Sequence, residues 1–77
     1  MKWVLVKESQ GVRGVQGKSK MYEVTVHGSV VLLAWGKAES PLRVTQVRFA
    51  SERSANTFAR DKVALKSQRG YRVLVAV

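Results

Sequence analysis

Apolar and polar positions alternate with a period of two along much of this chain, and the period changes to about 3.6 over one later stretch. "MYEVTVH", residues 21–27, sets Tyr22, Val24 and Val26 on one face and Glu23, Thr25 and His27 on the other, the pattern of a half-buried strand. "KWVLVKE", residues 2–8, is short and β-branched and predicts a first strand. "VVLLAW", residues 30–35, is apolar on both faces and predicts a central strand; "RVTQVRFA", residues 43–50, predicts a fourth. Gly28-Ser29 suits a tight II′ turn, so the last three strands pair in order as an antiparallel meander. Residues 36–42, with the sole proline Pro41, read as a loop. "YRVLVAV", residues 71–77, alternates again and closes the sheet as a fifth strand.

The helical stretch has both ends marked. Ser51 is a plausible N-cap, and Glu52 stands in the first turn, where the helix dipole favours an anion. From Glu52 to about Gln68 there is no Gly or Pro, and Ala55, Phe58, Ala59, Lys62 and Leu65 recur at helical spacing. Gly70 falls where a helix ends in the left-handed conformation. The expected architecture is α+β, an antiparallel sheet of about five strands with one α-helix packed on one face. Lys2, Lys7 and Arg72 at strand ends are expected to guard the sheet edges.

Composition narrows the class. With 77 residues, 45% of them apolar, the chain predicts a single domain over 1–77 with a thin core. The absence of cysteine excludes a disulfide scaffold and a thiolate metal site, and one histidine, His27, does not build a metal centre. No cofactor is called for. No run approaches the roughly 18 apolar residues of a membrane span. The opening "MKWVLVKES" has only Trp3–Val6 as an apolar stretch and no small-residue cleavage site, so it reads as a strand of a cytoplasmic protein. The helix lacks the wide Trp/Phe/Leu face of a membrane-surface helix. Fourteen Lys and Arg against five Asp and Glu give a formal charge of +9. That balance favours a polyanionic partner, beside the plainer reading of a basic soluble domain.

Two tempting signals fail. "GVRGVQGKS" imitates a phosphate-binding loop, but counting back from Gly17-Lys18-Ser19 places Val12 where the first glycine belongs, and a strand follows, not a helix. Gly11, Gly14 and Gly17 instead mark a flexible basic loop carrying Arg13, Lys18 and Lys20. Catalysis lacks its parts. His27 ends an exposed strand face without a partner, and Ser9, Ser29, Ser51 and Ser67 have no nucleophile-elbow setting. Glu23, Glu39 and Glu52 are scattered, and the chain reads as a non-enzyme.

Trp35-Gly36-Lys37 is the constellation with chemistry in it. Val31, Leu33 and Trp35 share a face, so Trp35 caps the core or offers its ring to a ligand. Gly36 removes a side chain and lets another backbone or a sugar-phosphate approach, and Lys37 adds a cation. An indole supplies stacking area worth roughly 1–3 kcal/mol against a base. "KMYEVTVHGSVVLLAWGK" followed by "VTQVRFASERSANTFARDKVALKSQRGY" resembles the WGR domain, named for a Trp-Gly-Arg tripeptide and found in poly(ADP-ribose) polymerases and bacterial proteins. The likeness covers residues 20–72: Tyr22, Trp35-Gly36, Phe49, the Ala55/Phe58 stripe, Lys66 and Gly70-Tyr71. It implies a nucleic-acid-binding module in which Trp35 stacks on a terminal sugar and Lys66 is a second basic contact. Lys37 stands where that family has arginine and loses the bidentate fork, and "AESPL", with Glu39, replaces its glycine-rich turn.

On the helix, Lys62, Lys66 and Arg69 form one line and Arg53 and Arg60 another; Arg43 and Arg48 fall on opposite faces of the fourth strand. The expected interface is Trp35, Gly36, Lys37, Lys62, Lys66 and Arg69, binding nucleic acid, DNA in preference to RNA, through backbone and ends. The alternative is a protein-interaction module that uses the Trp35 loop and the basic surface.

Overall fold

In the computed structural model, residues 1–8 and 19–77 are described. The glycine-rich segment with Gly11, Gly14, Gly17, Arg13 and Lys18 lies outside them, as does Ser9. Five strands and one helix follow in the order β1 (Lys2–Lys7), β2 (Lys20–His27), β3 (Val30–Lys37), β4 (Arg43–Arg48), α1 (Glu52–Gln68) and β5 (Arg72–Ala76). All strand pairs are antiparallel, and the spatial order is β4-β3-β2-β1-β5. The architecture is α+β, a five-stranded antiparallel sheet with one helix on one face.

The strand order bears out one expectation and corrects another. The doubly apolar β3 is interior, between β2 and β4, with β2 at the middle of the sheet. β1 is interior, between β2 and β5, so Lys2 and Lys7 guard no edge. The edges are β4 and β5, where Arg43, Arg48 and Arg72 stand at strand ends. Arg72 also forms an exposed ion pair with Glu8 at 3.2 Å.

The core is the helix-side face of the sheet. Leu5, Tyr22, Val24, Val26, Val31 and Leu33 are buried there beneath Ala55 and Ala59, with Trp3, Trp35, Phe49, Phe58, Val63 and Tyr71 around them. Alanine at both buried helix positions lets α1 sit close on the sheet. Full burial of each of Leu5, Val24 and Val31 stabilises the fold by about 1.5–3 kcal/mol. Leu65, expected on the packed face, is exposed. At 100° per residue, Ala55, Ala59, Lys62 and Lys66 align, while Leu65 turns about 80° away.

Local signals set the helix ends. Ser51 is the N-cap: its Oγ accepts from the Ser54 N–H at 3.1 Å. At the other end Gly70 has φ 95°, the Tyr71 N–H donates to Lys66 O at 3.0 Å, and the Gly70 N–H donates to Ser67 O at 3.2 Å. Those two bonds form a Schellman motif, which aims Tyr71 back along the last turn toward Lys66. At the β2–β3 hairpin Gly28 has φ 58° and Ser29 is not at positive φ, as a II′ turn requires.

Candidate functional site

β3 runs two residues further than expected, through Lys37, so Trp35 and Gly36 belong to a paired strand and not to a loop mouth. Trp35 lies opposite Tyr22 of β2 and opposite Arg43 of β4. It keeps company with Val31 and Leu33 on the helix side, half-buried at the end of the core. The Trp35 and Tyr22 rings are offset-stacked at 6.5 Å with planes 25° apart, and Tyr71 meets Tyr22 edge-on at 6.1 Å. Beyond these rings opens a groove of about 290 Å³ lined by Lys20, Tyr22, Trp35, Gly36, Lys37, Lys66 and Tyr71. No carboxylate is among its described lining residues. Three ammonium groups and three aromatic rings share one concavity.

Lys66 sits over the aromatic cluster. Its ammonium lies 4.6 Å from the Tyr22 ring centre and 5.6 Å from that of Tyr71, within cation–π range. Burial pushes the Lys66 pKa below the ordinary lysine value, and the neighbouring charges of Arg69, Lys62 and Lys7 push it the same way. Burial raises the pKa of the Tyr22 phenol, with a smaller push from Tyr71. The site therefore concentrates positive charge beside desolvated rings, a setting that an anion relieves.

Of the residues expected at the interface, the structure brings Trp35, Gly36, Lys37 and Lys66 into the groove. Lys62 and Arg69 are not among its lining. Lys62 sits one turn earlier, its ammonium 5.5 Å from the Phe58 ring, and Arg69 is the exposed C-cap residue of α1. Their charges push the Lys66 pKa down from outside the groove lining. Gly36 differs in its reason for being glycine. A Cβ there would come within 3.1 Å of Leu42 Cδ2 and 3.5 Å of Leu42 Cα, so the close approach belongs to the chain's own Pro41–Leu42 segment. Glu39 takes φ 67°, the left-handed conformation that glycine favours, in the turn closed by the Ser40 N–H on Lys37 O at 3.2 Å.

The interface list built from the sequence lacks Lys20, Tyr22 and Tyr71. Tyr22 reads as a core position and Tyr71 as a helix exit, and only the pairing of β2 with β3 and the Schellman turn bring both to the rim. Lys20 stands directly opposite Lys37, a placement set by the β2–β3 register.

No family model matches the chain, and no curated protein matches it. Among solved structures, a protein from Bacteroides fragilis is similar in fold, with a TM-score of 0.78 at 24% sequence identity. The likeness covers 97% of this chain and 20% of that one, so this chain spans about a fifth of that protein. Among the described residues no helix is long and apolar enough to cross a membrane, and no group of His, Asp and Glu is arranged to hold a metal ion.

Proposed function

We propose that this domain binds nucleic acid, DNA in preference to RNA, at the groove between β3 and the end of α1, as a WGR-like module. The observation that carries the reading is the meeting of half-exposed Trp35 with Lys20, Lys37 and Lys66 in a groove with no carboxylate among its described lining residues. The accessible part of the indole offers a stacking surface to a terminal sugar or base, supported from beside by Tyr22. The lysines take phosphates as point charges, which position a strand without reading its sequence. Lys66 answers the partial negative charge at the helix C-terminus and leaves the rim net positive. We further propose that the domain acts by binding alone, in the cytoplasm and without a cofactor.

The test is binding of blunt, 5′-overhang and closed-circular DNA to the native protein and to Trp35→Ala and Lys37→Ala. Trp35→Ala is expected to remove the preference for ends, and Lys37→Ala to weaken all substrates alike. Equal affinity of the native protein for circular and broken DNA refutes end recognition; no binding at low salt refutes nucleic-acid binding altogether. A protein-contact reading that uses the Trp35 loop and the basic surface has a second surface beside them: Val73, Leu74, Val75 and Val77 on β5 and its exit are exposed, Leu74 by 53% and Val77 by 81%. The absence of chemical-shift changes at Trp35 and across the rest of the domain on adding DNA at low salt favours that alternative.

A further inference from the structure

Resting on the nucleic-acid reading above, we infer that Lys7, Lys20 and Lys37 form a phosphodiester track across the end of the sheet. The track makes the ligand a continuous strand with several contacted phosphates, not a lone terminal phosphate. The observation is one of register. Lys7 of β1 stands directly opposite Lys20 of β2, and Lys20 directly opposite Lys37 of β3. Cross-strand partners share a face, so all three ammonium groups emerge on the helix side, one step beyond the row Leu5, Tyr22 and Trp35. Like charges directly opposite one another destabilise a sheet. This row places three in succession, and the one ion pair formed among the described residues, Arg72 with Glu8, relieves none of them.

The geometry suits a polyanion that runs across the strands. Neighbouring strands are about 4.8 Å apart, so the row spans about 10 Å. Successive phosphates of one strand lie farther apart in space than the roughly 3.4 Å that each advances along the helix axis, so a row of about 10 Å covers roughly two to three of them. Lys7 joins the row to the groove: its ammonium lies 6.0 Å from the Tyr71 ring, and its stem passes the position of Gly70, where an added Cβ would meet Lys7 Cε at 3.5 Å. A strand whose terminal residue stacks at Trp35 then continues along Lys37, Lys20 and Lys7.

Lys2 supplies the control. It lies on β1 with Lys7 but at the opposite parity, on the face away from the helix, opposite Thr25. Binding of a 5′-phosphorylated duplex is measured by fluorescence anisotropy over a series of salt concentrations for the native protein, Lys7→Gln, Lys20→Gln and Lys2→Gln, with thermal melts to verify folding. The expected result is that Lys7→Gln and Lys20→Gln each reduce the salt slope by about 0.9, while Lys2→Gln leaves it unchanged. A nucleoside 5′-monophosphate, too short to span the row, is expected not to displace the duplex. Native binding with slopes unaltered by Lys7→Gln and Lys20→Gln, or altered as much by Lys2→Gln, overturns the track and leaves the groove reading standing. Efficient displacement by the monophosphate also overturns it. Absence of native binding at low salt overturns both.

Discussion

Glu39→Gly should stabilise this protein, although it removes a side chain. Glu39 holds φ 67°, where an L-residue costs about 1–2 kcal/mol from the clash of Cβ with the following carbonyl. Glycine takes that conformation freely but loses more freedom on folding, which returns roughly 0.5–1 kcal/mol to the unfolded chain. The net is a gain of about 0.5–1 kcal/mol, and for a chain of this size each kcal/mol moves the melting midpoint by about 4–8 °C. Thermal unfolding followed by circular dichroism should show a rise of about 2–8 °C. Two controls isolate the cause. Glu39→Ala keeps the Cβ and is expected to melt with the native protein; Glu39→Gln removes the charge alone and should change the midpoint by less than Glu39→Gly does. A midpoint for Glu39→Gly at or below the native value, or one matched by Glu39→Ala, refutes the assignment of strain to this turn.

Four further outcomes are expected. Lys20→Met should stabilise the free domain by a few tenths of a kcal/mol, up to about 1, because it breaks the facing lysine row while keeping an apolar stem; denaturant titrations should show the gain shrink as salt rises. Ser51→Ala should cost about 1 kcal/mol through loss of the Oγ cap on the Ser54 N–H, read as a lower denaturant midpoint at unchanged slope. Lys66 should lose its proton below the ordinary 10.5, as seen by side-chain NMR, and DNA affinity should fall as pH rises through that lowered value, a segment of the profile that Lys66→Met removes. Across the interval between the folded and unfolded Lys66 values the unfolded chain holds more protons, so this residue's contribution to stability rises with pH there.

The elements themselves were legible because their signals are local. The alternation in 21–27 is read from neighbouring residues alone, and the Ser51 cap and the Gly70 exit are settled by hydrogen bonds made within a few positions. Trp35, Gly36 and Lys37 are legible as a candidate site from the strand end itself, whereas Lys66 joins them only through the WGR resemblance, and the structure places all four at one groove. Lys62 and Arg69 were drawn in by the same helical spacing, which places residues on a face of α1 but not against the sheet end.

Residue chemistry and period alone therefore determine five strands, one helix, its two caps and an aromatic-cationic end to β3. Tertiary structure decided the rest. That β1 inserts between β2 and β5 follows from how the sheet closes its hydrogen bonds, and no local pattern in 2–8 reports it. Lys7, Lys20 and Lys37 become neighbours only because two antiparallel registers bring them opposite one another. A slip of one residue in either register would send a lysine to the other face, since successive strand side chains point to opposite sides. Burial of Leu5, Tyr22, Val24 and Leu33 under α1 holds those registers in place, so the thin core also fixes the position of the charged row.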